Sequence, residues 1–414
     1  MMKRLIRTAM IVAVLSTPAL ARADAVLDWN AITIATLIAQ GQNPFAQARF
    51  TAISQLAVFE AVNAVTRDYE PYVGIVAPAG ASPDAAAVAA AYAVLTFYFP
   101  SSTITLDVLR ANSLAAIPDG TAKNYGIAVG QAAAAAVIAL RAHDGSAPLT
   151  FYLPGPPEAG VWQTTSGCTA GGILYNWPHI TPFGVPAVEE FRPDPPPALT
   201  SRRYSKDFNE LRTNGAVDSS ARPADRSVVA RLYAASSPTF VFNLAARQVA
   251  LEQQRSLSEN ARAFALLSIA TTDSLVASMS AKYYYTFWRP ETAIHAGDAD
   301  DNPATTGDLS YAPFITTPCF PSYPSNHASG SNGAAEILRR VFGEGGHAIT
   351  IANPAIPGVA IHYRTFNEIC ADIDDARVYG GIHFRFDQEA GGAMGREIGT
   401  YVYKHNLQRA GDHR

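Results

Sequence analysis

An all-α protein, built as two antiparallel helical bundles packed into a single domain, is the fold class this sequence predicts. Three observations lead there. Ala-rich stretches with apolar residues at helical spacing fill the chain before residue 143 and again after residue 201. No run of alternating residues requires a sheet. Between the helical halves, residues 148–197 lose periodicity and become rich in Pro, Gly, Trp and Tyr.

The chain has 414 residues, 48% of them hydrophobic and 16% charged, within the range of a globular protein. A net charge of −4 gives no general attraction to nucleic acid or anionic lipid, so any anion affinity must be local. Lys3, Arg4 and Arg7, an apolar core from Ala9 to Leu20, and Ala21-Arg22-Ala23 together read as a secretory signal, residues 1–23. The expected mature protein is residues 24–414, periplasmic or secreted after cleavage near Ala23. No later stretch reads as long and uncharged enough to span a bilayer.

Asp28 to Ala39 is apolar at helical spacing, and Phe50 to Val65 repeats the pattern more strongly through Ile53, Leu56, Ala57 and Phe59. Glu60 and Asn63 on that apolar helix read as a buried structural pair, not as catalysts. Ser82-Pro83-Asp84 is a cap, a first-turn Pro and an acid, and it opens a helix to Phe99 that Pro100 ends. Thr121 to His143 is a further Ala-rich helix closed by Asp144-Gly145. Pro148 to Pro197 is then a long ordered connection that also walls the site, since long loops carry function. Helices resume at Ser201–Thr213, Ser219–Ala235, Phe242–Leu257 and Glu259–Phe287, the last delivering Lys282 and Arg289 near its end. After Pro290 comes a Gly/Asp/Asn-rich loop. Ser325 and Asn326 start a helix from His327 to Phe342, and Asp374–Gly380 begins a final helix carrying His383 and Asp387 one turn apart.

Three clusters in this second half carry chemistry. They are Lys282 with Arg289-Pro290, Pro324-Ser325-Asn326-His327, and Arg377 with His383 and Asp387. Alone, each also reads as ordinary surface chemistry: a charged helix end, an N-cap and an i, i+4 contact. Together they supply three cations, two histidines, a hydroxyl and a carboxylate, an inventory suited to an oxoanion held by many donors. Of three cysteines, Cys319 and Cys370 flank these clusters and form the expected disulfide, leaving Cys168 over. Three free thiols is the alternative.

The clusters resemble the three motifs of the vanadium-dependent haloperoxidases and type 2 phosphatidic acid phosphatases: Lys-x6-Arg-Pro, Pro-Ser-Gly-His and Ser-Arg-x5-His-x3-Asp. Lys282-Tyr-Tyr-Tyr-Thr-Phe-Trp-Arg289-Pro290, Phe320-Pro-Ser-Tyr-Pro-Ser325-Asn-His327 and Arg377-Val-Tyr-Gly-Gly-Ile-His383-Phe-Arg-Phe-Asp387 are similar to the haloperoxidase branch, over about residues 255–400. The resemblance implies a haloperoxidase-like domain with vanadate as cofactor. His383 would be its protein ligand, with Asp387 fixing the His383 tautomer. Lys282, Arg289, Ser325, Asn326 and Arg377 would bind oxygens, Lys282 also polarising the peroxide. His327 would be the acid and base. Hydrogen peroxide and halide, or a small organic molecule, would be the partners, with Phe320 and Trp288 on the halide side. A homo-oligomer is compatible with all of this. The same cage would serve an acid phosphatase with no cofactor, phosphate as substrate and His383 as nucleophile. A secreted non-catalytic oxoanion-binding protein is the reading from another class; the intact His327 and His383 count against it.

Three positions depart from the family pattern. Asn326 stands where Gly is usual, and Ala376 replaces a Ser. The stretch Tyr233-Ala-Ala-Ser-Ser-Pro238 lacks the acid that steadies a motif arginine.

Overall fold

A computed structural model describes residues 24–168 and 170–411. The expected signal segment lies outside the described residues. The first group of helices is α1 (Ala25–Ala39), α2 (Pro44–Thr66), α3 (Pro83–Tyr98), α4 (Thr103–Ala115) and α5 (Thr121–Leu140). The second is α6 (Arg202–Asn214), α7 (Ala224–Ala234), α8 (Pro238–Glu252), α9 (Leu257–Tyr285), α10 (Pro290–His295), α11 (Asn326–Phe342), α12 (Phe366–Tyr379) and α13 (Arg385–His405). The all-α class therefore stands, with Ser82, Ser201 and Ser325 capping the helices expected to start beside them. A two-stranded antiparallel hairpin, β1 (Gly345–Ala352) and β2 (Ala360–Thr365), corrects the expectation of no sheet. Its inward positions, His347, Ile349 and Ile351, alternate in the sequence, but over too short a run to stand out.

Helix α9 is the shared core. It is buried almost continuously from Ser258 to Lys282 and packs against α2 on one side and α11 and α13 on the other. By length and composition α9 is apolar enough to cross a membrane, contrary to the sequence expectation, but that whole window is buried inside the protein. Two chain segments are brought close by small residues. In α5, a Cβ at Gly126 or Gly130 would collide with α3, so these helices touch along their backbones. On α13, Gly391, Gly395 and Gly399 repeat every four residues against Ser325, Ser329 and Gly333 of α11. This ladder brings the start of α13 to the start of α11, where Ser325 N–H donates to Asp387 O at 3.0 Å.

Buried polar groups tie the long connection to this core. Asp273, mid-way along α9 and fully buried, accepts from the N–H groups of Phe183, Gly184 and Val185 at 2.7, 2.7 and 3.1 Å. Burial pushes its carboxyl up to about 6, while the three N–H donors favour the ionised form. Glu60 and Asn63 are structural, but each holds a nearby loop and not the other. Glu60 accepts from Tyr72 N and Gly74 N, and Asn63 bonds both backbone groups of Tyr69. The disulfide joins Cys168 to Cys319, Cα atoms 5.4 Å apart, and Cys370 is the buried free thiol. This corrects the expected Cys319–Cys370 pair. Cys370 sits inside α12, walled into the hydrophobic core, while the connection carries Cys168 to the site loop.

Asp273→Ala would leave three backbone donors without their acceptor. At about 1–3 kcal/mol for each buried unsatisfied group, the expected loss is about 3 kcal/mol or more. Urea unfolding of both proteins measures it, and a loss below about 1 kcal/mol would contradict this role for Asp273.

Candidate active site

Helix α9 ends one turn after Lys282. Thr286 takes a left-handed conformation (φ 49°) and its N–H closes on Lys282 O at 2.8 Å. The chain then runs extended to Arg289, which sits at the N-cap position of α10 ahead of Pro290. Arg289 therefore lies beyond α9, on a separate segment, not near the end of that helix. Both cations fold onto the loop before α11. Lys282 Nζ donates to Pro321 O at 2.7 Å and Ser322 O at 2.5 Å, and Arg289 Nε donates to Phe320 O at 2.8 Å. The Phe320 ring lies under both, 5.3 Å from Lys282 Nζ and 5.0 Å from the Arg289 guanidinium carbon.

At the start of α11, Ser325 is the N-cap and its oxygen accepts from Ala328 N. Its hydroxyl proton is free to donate elsewhere. The first amides of a helix have no intrahelical acceptor and favour anions. Asn326, in place of the usual Gly, is within the helix and not among the positive-φ residues, so the substitution carries no backbone strain. Its Oδ1 is buried with no partner among the described residues.

The third cluster corrects the expectation of one continuous helix. Arg377 is in the last turn of α12, which ends at Tyr379. Gly381 then takes φ +79°, and a Cβ there would collide with Gly215 O and the Tyr311 hydroxyl. His383 sits in this break. Asp387 is in the first turn of α13, its carboxylate turned back over the helix start. One oxygen, Oδ2, accepts from His383 Nδ1 at 2.8 Å, Ser322 Oγ at 2.6 Å and Phe384 N at 3.2 Å. Nδ1 therefore carries the imidazole proton, and the Nε2 lone pair faces Arg289 Nη1 at 3.0 Å.

Lys282, Arg289, Ser325, Arg377, His383 and Asp387 are all at least 96% buried, in a site with more positive than negative charge. Burial first, then the neighbouring cations, pull both histidines well below the ordinary imidazole value. The same two causes lower Lys282 and hold Arg289 near 9, and burial alone holds Arg377 near 10. For His327 a hydrogen bond to the Ser236 backbone acts the other way. Because it favours the protonated ring, the partner is the carbonyl. Arg289 Nη2 and Arg377 Nε are buried donors with no acceptor among the described residues. Such groups call for an oxoanion. Among the described residues, no cluster of three or more His, Cys, Asp or Glu is placed to hold a bare cation.

A cavity of about 430 Å³ leads to this point. Phe45, Leu174, Leu275, Ile315 and Phe320 wall it, and Asn326, His327, Arg377 and His383 line its inner part. Lys282, Arg289 and Ser325 are not among the lining residues. Trp288 does not reach the cavity, which corrects its assignment to the halide side. It is buried in a second aromatic cluster, stacked on Tyr204 at 6.5 Å and packed against Phe287. Sequence reasoning missed Ser322 and the carbonyls of Tyr233 and Ser236. Ser322 lies inside the Phe320–His327 run, where a second hydroxyl beside a motif is the available signal. The carbonyls leave no trace in residue type.

Residues 262–411 match the family model described as the VCPO second helical-bundle domain. The likeness to that domain covers about a third of the chain and takes in all three clusters of the site. A vanadium chloroperoxidase of Curvularia inaequalis is 32% identical over 93 residues, which is 20% of this chain and 14% of that relative. The matched segment is thus a small part of that relative's length. The fold likeness extends over nearly the whole chain. A structure described as the first bacterial vanadium-dependent iodoperoxidase superposes with a TM-score of 0.79 at 23% identity, covering 93% of this chain and 96% of the other. An apo-type bacterial vanadium-dependent chloroperoxidase gives 0.73 at 17% identity, over 88% and 94%. The fold likeness takes in the first group of helices as well as the second, since the two superpositions cover 93% and 88% of this chain.

Gly381→Ala tests the break that frees His383 from the helices. The added methyl meets both a positive φ and a carbonyl, so the expected cost is above about 1 kcal/mol. Gly346→Ala (φ +85°, with open space around it) separates the two effects: it should cost clearly less. Equal losses in thermal unfolding would show that crowding at residue 381 is unimportant.

Proposed function

We propose that this chain is a vanadate-dependent haloperoxidase that oxidises halide with hydrogen peroxide. The observation that carries the reading is the His383 imidazole. Its tautomer is set by Asp387, and its Nε2 lone pair opens among buried cations that have donors to spare. Neutral imidazole is a good single protein ligand for such a centre.

Vanadate, when bound, supplies a Lewis acid that makes peroxide electrophilic toward halide. The rest is work for the chain's own residues. Arg289 and Arg377 offer planar forks to the oxoanion's oxygens, and Lys282 adds a compact charge with one N–H left after its two carbonyl bonds. Ser325 Oγ–H and the first amides of α11 complete the donor set. His327, at the inner end of the cavity and held neutral by its surroundings, takes the peroxide proton and returns it to the departing water. Phe320 keeps water from the cations and presents an apolar edge to the halide. The remaining cavity wall is mostly apolar, with Asn43 and Thr316 as polar residues and no carboxylate among its lining, which suits a neutral organic acceptor for the oxidised halogen. We also place the mature chain outside the cytoplasm, a reading the Cys168–Cys319 bond supports.

The same donors would hold phosphate, so the decisive experiment runs both reactions on one preparation. Protein dialysed with or without orthovanadate is assayed for peroxide-dependent bromination of a β-diketone and for aryl-phosphate hydrolysis. Expected are bromination only after vanadate loading, slower loading in the presence of phosphate, and a fall in any hydrolysis as vanadate enters. Vanadate uptake with no bromide oxidation from acid to neutral pH would leave the phosphatase reading standing.

Two variants separate the histidines. His383→Ala should lose vanadate and peroxidase activity together while keeping its fold, as read by metal analysis and circular dichroism. His327→Ala should still bind the oxoanion but turn over about 10²–10⁴-fold more slowly. Full vanadate retention by His383→Ala would falsify the ligand assignment, and unchanged turnover in His327→Ala would remove that residue from proton transfer.

A further inference from the structure

The β1–β2 hairpin belongs to neither group of helices, yet its side chains converge on one turn. Residues 235–237 join α7 to α8. Carbonyls at the end of a helix lack intrahelical donors and carry the negative end of its dipole. Two such groups point into the site. Tyr233 O accepts from Arg377 Nη1 at 3.4 Å, and the Ser236 carbonyl meets the His327 ring. They stand where the stretch 233–238 offers no carboxylate. A carbonyl holds a cation only as well as its backbone is held.

The hairpin does the holding. Asn353, directly after β1, donates from Nδ2 to Ala235 O at 2.8 Å and Ser236 Oγ at 2.9 Å. Tyr363, on β2, donates its hydroxyl to Asp372 Oδ2 at 2.8 Å. Its oxygen is therefore the acceptor for the Tyr233 hydroxyl, 2.7 Å away. Asp372 is fixed in turn by Arg226 Nη1 at 2.8 Å, and it lies five residues before Arg377 on α12. One chain of bonds thus sets α7 against the helix that carries Arg377. On the far side of the turn Ser237 Oγ donates to Gln47 Oε1 at 2.8 Å, which fixes it to α2. Gln248 bonds both backbone groups of Thr350 and seats the hairpin on α8.

From these contacts we infer that Asn353 and Tyr363 are positioning residues for the oxoanion cage, acting through residues 233–237, the end of α7 and the turn after it, on Arg377 and His327. The inference rests on the cage reading given above. Neither side chain touches the cage. Asn353 holds the turn at Ala235 and Ser236, and Tyr363 holds the Tyr233 side chain, so their loss should loosen the two carbonyls without removing them.

The test is calorimetric titration of orthovanadate, and separately of inorganic phosphate, into the full chain without peroxide, with thermal unfolding recorded alongside. Asn353→Ala and Tyr363→Phe should each weaken oxoanion binding about 3- to 10-fold, the net worth of one hydrogen bond. The double variant should lose less than the product of the two, because both act on the same short segment, residues 233–237. Thr350→Val is the control: it removes an exposed hydroxyl bonded to His362 at 2.9 Å elsewhere on the hairpin, and should leave affinity unchanged. Lower melting temperatures with unchanged affinity in Asn353→Ala and Tyr363→Phe would make the hairpin a structural element only and overturn the inference. If Tyr363→Phe fails to fold, the partly exposed Asn353→Ala decides the matter alone. Normal bromide oxidation with unaltered affinities in the variants would sink this inference and spare the cage. A native chain that binds neither oxoanion would sink the cage, and the inference with it.

Discussion

One carboxylate oxygen joins the parts of this site. Asp387 Oδ2 accepts from an imidazole, a hydroxyl and a backbone N–H that come from the break after α12, the loop before α11 and the start of α13. Burial raises its carboxyl, while Ser322 and the nearby cations pull it down toward ionisation. That balance explains why the group sits at a helix start beside cations. A carboxylate without those donors would take up a proton, and the imidazole orientation would be lost. The glycine ladder between α11 and α13 serves the same point, since side chains there would push Asp387 away from Ser325.

The legibility of the fold in the sequence followed the strength of periodicity. The long Ala-rich helices and the capped starts at Ser82, Ser201 and Ser325 were readable, because cap chemistry and apolar spacing are local. Helix α4, whose buried face is only Leu106 and Leu114, was not. The hairpin escaped for a similar reason: its buried face is three residues of β1 and one of β2. The break at Gly380-Gly381 is the feature that local spacing hides most. An i, i+4 spacing of His383 and Asp387 fits a helix so well that it outweighs the signal of two adjacent glycines. The contact is real, yet it is made by a carboxylate reaching back over a helix start.

For the site, residue types carried most of the information and placement the rest. Lys282, Arg289, Ser325, Asn326, His327, Arg377 and His383 do converge. Trp288 does not, because its neighbour Arg289 turns inward and an extended backbone sends successive side chains to opposite sides. Ser322 and the two carbonyls could be found only once the chain was folded. Main-chain acceptors act wherever the fold puts them, whatever the side chain. A cage that relies on them can lose a familiar acid without losing its electrostatics.

The Cys168–Cys319 bond closes a loop of 151 residues and ends beside Phe320. In the chain-entropy view a closure of that size removes about 5 kcal/mol of unfolded-state freedom. Its local consequence concerns the site wall. The wall over the cations is also held to the connection by Ile173 N, which donates to Cys319 O at 2.8 Å, and by the Tyr323 hydroxyl, which donates to Asp194 O at 2.6 Å. Without the bond the wall over the cations would lose its covalent tie to the connection, and the whole fold would lose the same restraint. The wall of the chamber and the stability of the fold therefore depend on the same bond.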